Sequence, residues 1–414
     1  MKNTLLPAIL IIIVSFKTTA QSPWEPVTSG TGETLTSLYF SDEQTGVVVG
    51  YGGVILKTTN GGVTWNPQYS GTTNRFYATF FTDAQTGWAV GDFGTIQHTV
   101  DGGTSWNPVF SPASSADLRA VWFLNPNVGF ITGGFSGSTA TIIKTTDGGA
   151  TWNDISPNSY QVVYSIFFTS PSDGYARDYD GKMLKTTDGG TTWSEQTVSA
   201  NNLHSIFFTD ANTGYVAGGN VGSDSGVILK TTDAGLSWTE YAVPQGFLTS
   251  ITFLDANTGI ATGGSVANNE AIILKTTDAG NTWALETIEP SPASRQFRVF
   301  MASYQAGFSC GLNGTILRTT GITSTTAPQQ TSNISAAIFP NPTPGTFTVE
   351  LAQPATPDMI FRITDLTGRL LQEKQADAGS TQQMVQVDKL ADGLYFLLVI
   401  SEGHTLSTER FVKQ

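Results

Sequence analysis

The chain of 414 residues contains one cysteine, Cys310, and three histidines. A single thiol excludes an internal disulfide and a cysteine-based zinc cage, and three imidazoles argue against a histidine-rich metal site. Charge is scarce as well: charged residues make up 13%, about half of the roughly 25% usual in soluble domains. Twenty basic side chains face 33 acidic ones, a net charge of -13. No phosphate backbone is neutralised in bulk by such a surface, so a generic nucleic-acid binder is excluded. Long apolar runs are missing too. The longest, Leu5 to Phe16, is too short to cross roughly 30 Å of hydrocarbon as a helix. What the chain does have is 44 glycines with many threonines and aromatics. That composition suits short strands joined by tight turns.

Residues 1–20 read as a secretory signal. Lys2 supplies the positive start, Leu5 to Phe16 the apolar stretch, and Thr18-Thr19-Ala20 a small-residue cleavage site before Gln21. No cysteine lies near that point, which excludes a lipoprotein anchor. The mature protein is expected outside the cytoplasm, with no membrane-spanning segment.

Self-comparison organises the middle of the chain. The string Thr-Thr-Asp-Gly-Gly-x-Thr-Trp recurs with small changes and ends at Trp65, Trp106, Trp152, Trp193, Trp238 and Trp283. Ahead of each copy lie two apolar runs and an Ile-Leu-Lys-Thr-Thr segment. The fifth unit shows all three: Leu203 to Phe208, Gly214 to Gly218 and Val227 to Thr232. Each unit therefore offers four short strands, A to D, with D starting at the Trp. A period of 40 to 46 residues with four strands is a propeller blade. Seven A-to-C runs start near Leu35, Phe76, Leu118, Val163, Leu203, Leu248 and Phe297, against six Trp-led D strands. Trp24 with Glu25-Pro26-Val27 supplies the seventh, so the N-terminal strand is expected to close the last blade. The expectation is an all-β fold: a seven-bladed β-propeller over residues 21–321.

The polar residues 322–334 read as a linker. Residues 335–414 carry short strand patterns at Phe347 to Leu351, Ile360 to Thr364, Met384 to Val387 and Leu394 to Ile400. They describe a small, Ig-like β-sandwich.

The repeated Asn60, Asp101, Asp147, Asp188, Asp233 and Asp278 are expected to be structural, each accepting backbone N–H groups two or three residues ahead. The second glycine is present in all six copies, while the first becomes Ala234 and Ala279. Only the second is expected to need positive φ.

These strings resemble the Asp-box (BNR) repeats of sialidases, sortilin-type receptors and xyloglucan-active glycoside hydrolases. The longer sentence looks closest to propellers of the photosystem II stability and assembly factor family. That resemblance implies the fold more than an activity. The tail carries Phe339-Pro340-Asn341-Pro342, Ile363 to Arg369, Leu390 to Phe396 and the ending Arg410 to Gln414. It resembles the type A C-terminal sorting domain of the type IX secretion system of Bacteroidetes. By that resemblance, residues 335–414 address the secretion machinery and are cut off afterwards.

Strand order puts the A–B turns and Asp boxes on one face and the B–C and D–A loops on the other. The first face is uniform. On the second, the B–C segments of blades three, five and six are longer than the rest, so binding is expected there. Six propeller cations outside the repeated Lys column also fall on this side: Arg75, Arg119, Arg177, Lys182, Arg295 and Arg298. Arginine-rich surfaces of the photosystem factor family hold a partner, so the resemblance implies an anionic ligand, although Asp117, Asp178 and Asp180 lie beside these charges. At the start of strand A stand Thr36, Tyr77, Arg119, Tyr164, His204, Thr249 and either Phe297 or Arg298. Arg75, Tyr77, Arg119, Tyr164, Arg177, His204 and Arg298 form the candidate binding set, able to floor a pocket for sugar or peptide. Trp88 is expected in the inter-blade core.

Two functions compete. The favoured one is an exported, non-enzymatic propeller that binds an extracellular protein or glycan, without cofactor, metal or catalytic residues. The alternative is a secreted glycoside hydrolase, sialidase-like through Arg75, Arg119 and Arg298, or using Asp92, Asp178 and Asp180 as its carboxylates. No Arg-Ile-Pro, Ser-His-Asp or phosphate-loop wording supports it.

Overall fold

A computed structural model describes residues 24–319 and 336–413, apart from 136–139, 157–161, 179–180, 200, 244–245, 287, 290–292, 305, 366–369, 392 and 402–403. The expected leader and linker, Asp180 and part of the sorting motif lie outside the described residues. Every described β-sheet is antiparallel, and among the described residues no helix is long and apolar enough to cross a membrane.

Seven sheets of four strands stand in the first part of the chain. Six run in simple order, A to D. The last is completed from the front: Trp24–Val27 pairs with Ile316–Thr319, Trp24 opposite Thr319 and Val27 opposite Ile316. Trp24 is fully buried beside Ile260, Ile273 and Leu317. The inner strands touch in chain order, and Gln296–Met301 packs against Leu35–Phe40, so the ring closes on itself. Closure leaves no exposed inner edge. Between blades the cores are aromatic. Trp88 is fully buried and its ring lies 4.0 Å from that of Phe123 in the next blade. Each Asp-box Trp stands edge-on to a Phe of its own blade, as Trp65 does to Phe40 at 5.8 Å.

The Asp boxes hold the outer turns at the expected three residues, as Asp101 Oδ1 does with the Thr104 N–H, and also one residue further on. Asp188 Oδ1 accepts the backbone N–H of Thr192, four residues on, and its Oδ2 accepts the Thr192 hydroxyl. The threonine two residues before the Asp donates to it and accepts the second glycine's N–H, as Thr186 does for Asp188 and Gly190. These bonds pull the Asp188 carboxyl down to about 2, the Thr192 hydroxyl first among the causes. Both glycine positions are left-handed, not the second alone: Gly189 has φ 70, and Ala234 and Ala279 follow it at 57 and 59. The second position is invariant within the chain for a different reason. A Cβ on Gly280 would lie 2.7 Å from the Tyr215 ring, and one on Gly62 2.7 Å from Phe308.

The tail forms two sheets. Ala336–Phe339, Thr346–Leu351 and Gln382–Gln386 make one; Leu370–Gln375, Ile360–Asp365, Gly393–Ser401 and His404–Lys413 make the other. Phe347, Phe361, Leu397 and Phe411 fill the space between them.

Candidate functional site

Every inner strand carries a bulge just after its first residue or two, at Leu35/Ser37, Phe76/Ala78, Leu118/Ala120, Val163/Ser165, Leu203/Ser205, Leu248/Ser250 and Gln296/Arg298. The extra residue is freed from the ladder and re-aimed. Thr36, Tyr77, Arg119, Tyr164, His204, Thr249 and Phe297 hold these positions, around the channel mouth on the variable side. The register therefore resolves the seventh blade: Phe297 takes the bulge, and Arg298 falls into the next column, beside Ser37, Ala78, Ala120, Ser165, Ser205 and Ser250.

Six of the seven predicted residues, all but Arg298, fall along an arc of cations and rings. The Arg119 guanidinium lies 3.9 Å from the Tyr77 ring centre and 5.6 Å from that of Tyr164. Arg177 continues the arc, 5.1 Å from Tyr164. At the other end, Tyr51 meets Tyr77 edge-on at 6.3 Å, and Arg75 lies 4.7 Å from Tyr51. His204 extends the series to Phe247 at 5.9 Å, which Arg295 covers at 5.6 Å. Tyr51 and Phe247 were not singled out from the sequence, because neither stands in the variable column.

The arc is not a bare basic patch. Arg119 Nη2 is 2.7 Å from Asp117 Oδ2, and Arg75 Nε is 3.8 Å from Asp92 Oδ2. Lys182 pairs with Glu195 at 2.7 Å, and Arg295 donates to Asn269 Oδ1 at 3.1 Å. Arg177 is 3% exposed and donates to the carbonyls of Leu203 and His204 in the next blade. In blades one and six a hydroxyl does that bracing, Thr36 Oγ1 to Phe76 O and Thr249 Oγ1 to Gln296 O. Arg177 is thus a brace beneath the arc, and Asp178 next to it is buried, accepting the N–H of Lys182. Asp92 and Asp117 approach within hydrogen-bonding reach of each other, and burial first, partly offset by Arg119, holds the Asp117 carboxyl above its usual range. Desolvation and the Asp92 hydrogen bond push the Tyr77 hydroxyl up to about 12. Desolvation and the positive charge of Arg177 pull His204 down to about 3, so its imidazole is neutral at physiological pH.

The loops around this arc differ by blade. Blades one, two and seven use three-residue turns whose middle position is left-handed: Gly52 at φ 66, Phe93 at 54 and Asn313 at 55. Phe93 is 64% exposed. In blade five the additional residues prolong the strands instead of making a loose loop, since Asn220 pairs with Ser225. Asp224 at that tip accepts the Ser265 hydroxyl at 2.5 Å and the Val266 N–H at 2.8 Å, tying blade five to blade six.

This architecture is that of an Asp-box β-propeller. Residues 16–113 and 154–246 match the family model of the photosynthesis system II assembly factor YCF48. Residues 337–414 match the secretion system C-terminal sorting domain. The chain therefore joins a YCF48-like propeller to a sorting tail that directs export by the type IX secretion system, to the cell surface or beyond it. Among solved structures, YCF48 bound to D1 peptide is 21% identical with a TM-score of 0.60, covering 72% of this chain and 97% of that one. YCF48 from Cyanidioschyzon merolae is 20% identical at 0.57, covering 72% and 98%. A GH74 xyloglucanase from Xanthomonas campestris is 12% identical at 0.58, covering 80% and 60%. These likenesses show the fold. No curated protein matches the chain.

Proposed function

We propose that this is a non-enzymatic capture protein, exported and holding an extracellular protein or glycan at the channel mouth through the arginine–aromatic arc. The observation that carries the reading is Phe93. A bulky residue in the left-handed region costs about 1 kcal/mol or more, and exposing its ring adds to the penalty. Blades one and seven avoid both with Gly52 and Asn313. Phe93 is instead held beside Asp92 at the edge of the arc, where a partner would cover it. The chain's exits favour the same face. Trp24 and Thr319 sit opposite each other at the Asp-box end of the last blade, so the described chain enters and leaves the propeller on the face opposite the mouth. One similar propeller, YCF48, is bound to a D1 peptide, which supports a peptide segment as occupant.

The glycosidase alternative is disfavoured by geometry. Such enzymes separate their two carboxylates by roughly 5 to 9.5 Å. Asp92 lies within hydrogen-bonding reach of Asp117, and Asp178 is buried at the end of its strand, opposite Val163. The test is a glycan array and a surface-protein pull-down with the mature chain. Trimming the B–C hairpins of blades five and six to the short form should abolish capture and leave the unfolding transition in place. Unchanged capture contradicts the mouth as the binding face. Hydrolysis of a sialoside or β-glucan, lost on replacing Asp92 or Asp178, would install the enzyme reading instead.

A further inference from the structure

We propose a second site inside the central channel, where Arg298 binds the carboxylate or phosphate group of a small molecule. The channel is layered. At its Asp-box end Tyr39, Phe80, Trp122, Phe167 and Phe207 touch in sequence, with ring centres 4.7 to 5.5 Å apart, and Phe300 closes on Tyr39 at 5.0 Å. Only Thr252 interrupts this belt of rings. Residues two apart along a strand share a side, so Arg298 stands one layer above Phe300. In that layer the other six blades present only serine or alanine, which leaves room around a single long side chain.

Several of those serines have a fixed task. Ser37, Ser205 and Ser250 each accept a backbone N–H from the next inner strand at 3.2 Å. Arg298 cannot take that part, because a guanidinium offers donors and no acceptor. Its own charge is also unanswered. The other five cations of this side have partners, whereas the Arg298 guanidinium has no ion pair or hydrogen bond among the described residues. Cys310, opposite it in the sheet, supplies no counter-charge, since burial pushes that thiol up and keeps it neutral. Protein encloses Arg298 enough to pull its pKa down, while water still reaches the side chain. An enclosed, wetted, unpaired guanidinium is suited to a bidentate oxyanion. The aromatic belt below offers a face on which a sugar or similar ring can rest.

The test uses the mature chain with inorganic phosphate, D-glucuronate and, as a neutral control, D-glucose, read by calorimetric titration and thermal unfolding. Binding of phosphate or glucuronate is expected, with none for glucose and at least a tenfold loss in R298S. Binding of both anions means that the oxyanion alone suffices; glucuronate alone means that the ring contributes. R298S restores the side chain found in four other blades, so it should unfold at the same temperature or higher. Capture of the mouth ligand should survive R298S, and anion binding should survive Arg119→Ala, which separates this site from the arc. Equal anion binding by R298S, no binding by the unaltered chain, or a lower unfolding temperature for R298S would overturn the proposal.

Discussion

The two faces of the propeller are made of the same strands and follow opposite rules. On the Asp-box face each blade repeats one set of bonds. The carboxylate of Asp147, Asp188 or Asp233 takes a hydroxyl and an N–H four residues on, and an N–H of each box reaches the neighbouring A–B turn, as Gly189 does with Ser172. The A–B turns are uniform as well, Asp42, Asp83, Asp210 and Asp255 each accepting two backbone N–H groups. On the mouth face blades seven, one and two share a turn shape but not its residues, and the remaining blades differ in loop length. Cations lie over rings, carboxylates crowd one another, and Phe93 occupies a strained backbone. Repetition serves stability, and departure from it marks where selection acts on something other than the fold.

The contrast can be broken most forcefully at a box glycine. Gly280→Ala adds a Cβ 2.7 Å from Tyr215 in a left-handed position. A loss of about 2–4 kcal/mol in denaturant unfolding is expected, with any capture lost only through unfolding. Arg119→Ala on the other face should do the reverse: about 1 kcal/mol of stability, and at least a tenfold loss of capture measured at a concentration where the chain is folded. Phe93→Asn sharpens the difference further. Because Asn tolerates the left-handed region, as at Asn313, unfolding should become harder by about 0.5–1 kcal/mol while capture weakens. A variant both less stable and fully active would break the comparison.

Acid separates the faces more gently. His204 is lowered from 6.5 to about 3, so the unfolded chain takes up its proton first. Its contribution is complete above pH 6.5 and is lost as pH falls toward 3. Asp188 is lowered from 3.8 to about 2, so its contribution is present above 3.8 and is lost only below that. Asp188→Asn should change little at pH 7, since Asn60 already fills a box by accepting from Thr64 N and donating to its hydroxyl. It should flatten the stability profile below pH 4, while His204→Phe flattens it between 6.5 and 3.

Much of the ring was legible because spacing is a one-dimensional signal. The Trp intervals, the missing D strand and the rescue by Trp24 all follow from counting along the chain. The sorting tail was legible in the same way, although Ala336–Phe339, Leu370–Gln375 and His404–Lys413 escaped notice for want of clear alternation. What spacing does not carry is the third dimension. A bulge in each inner strand decides that Phe297, not Arg298, stands in the mouth column. Pairing of Arg119 with Asp117, and of Arg177 with carbonyls of the next blade, needs contacts across blades. The Asp-box reach of four residues depends on the left-handed pair between, which Ala234 and Ala279 adopt despite their Cβ atoms.

Amide hydrogen exchange on the mature chain, with and without its captured partner, probes the division of labour most directly. Slowed exchange should cluster at residues 75–77, 91–94, 117–119 and the tips near 220–225 and 265–270, with the six box turns unchanged. Protection centred on the box turns, and none around Tyr77 and Arg119, would place the partner on the wrong side of the wheel and end the account.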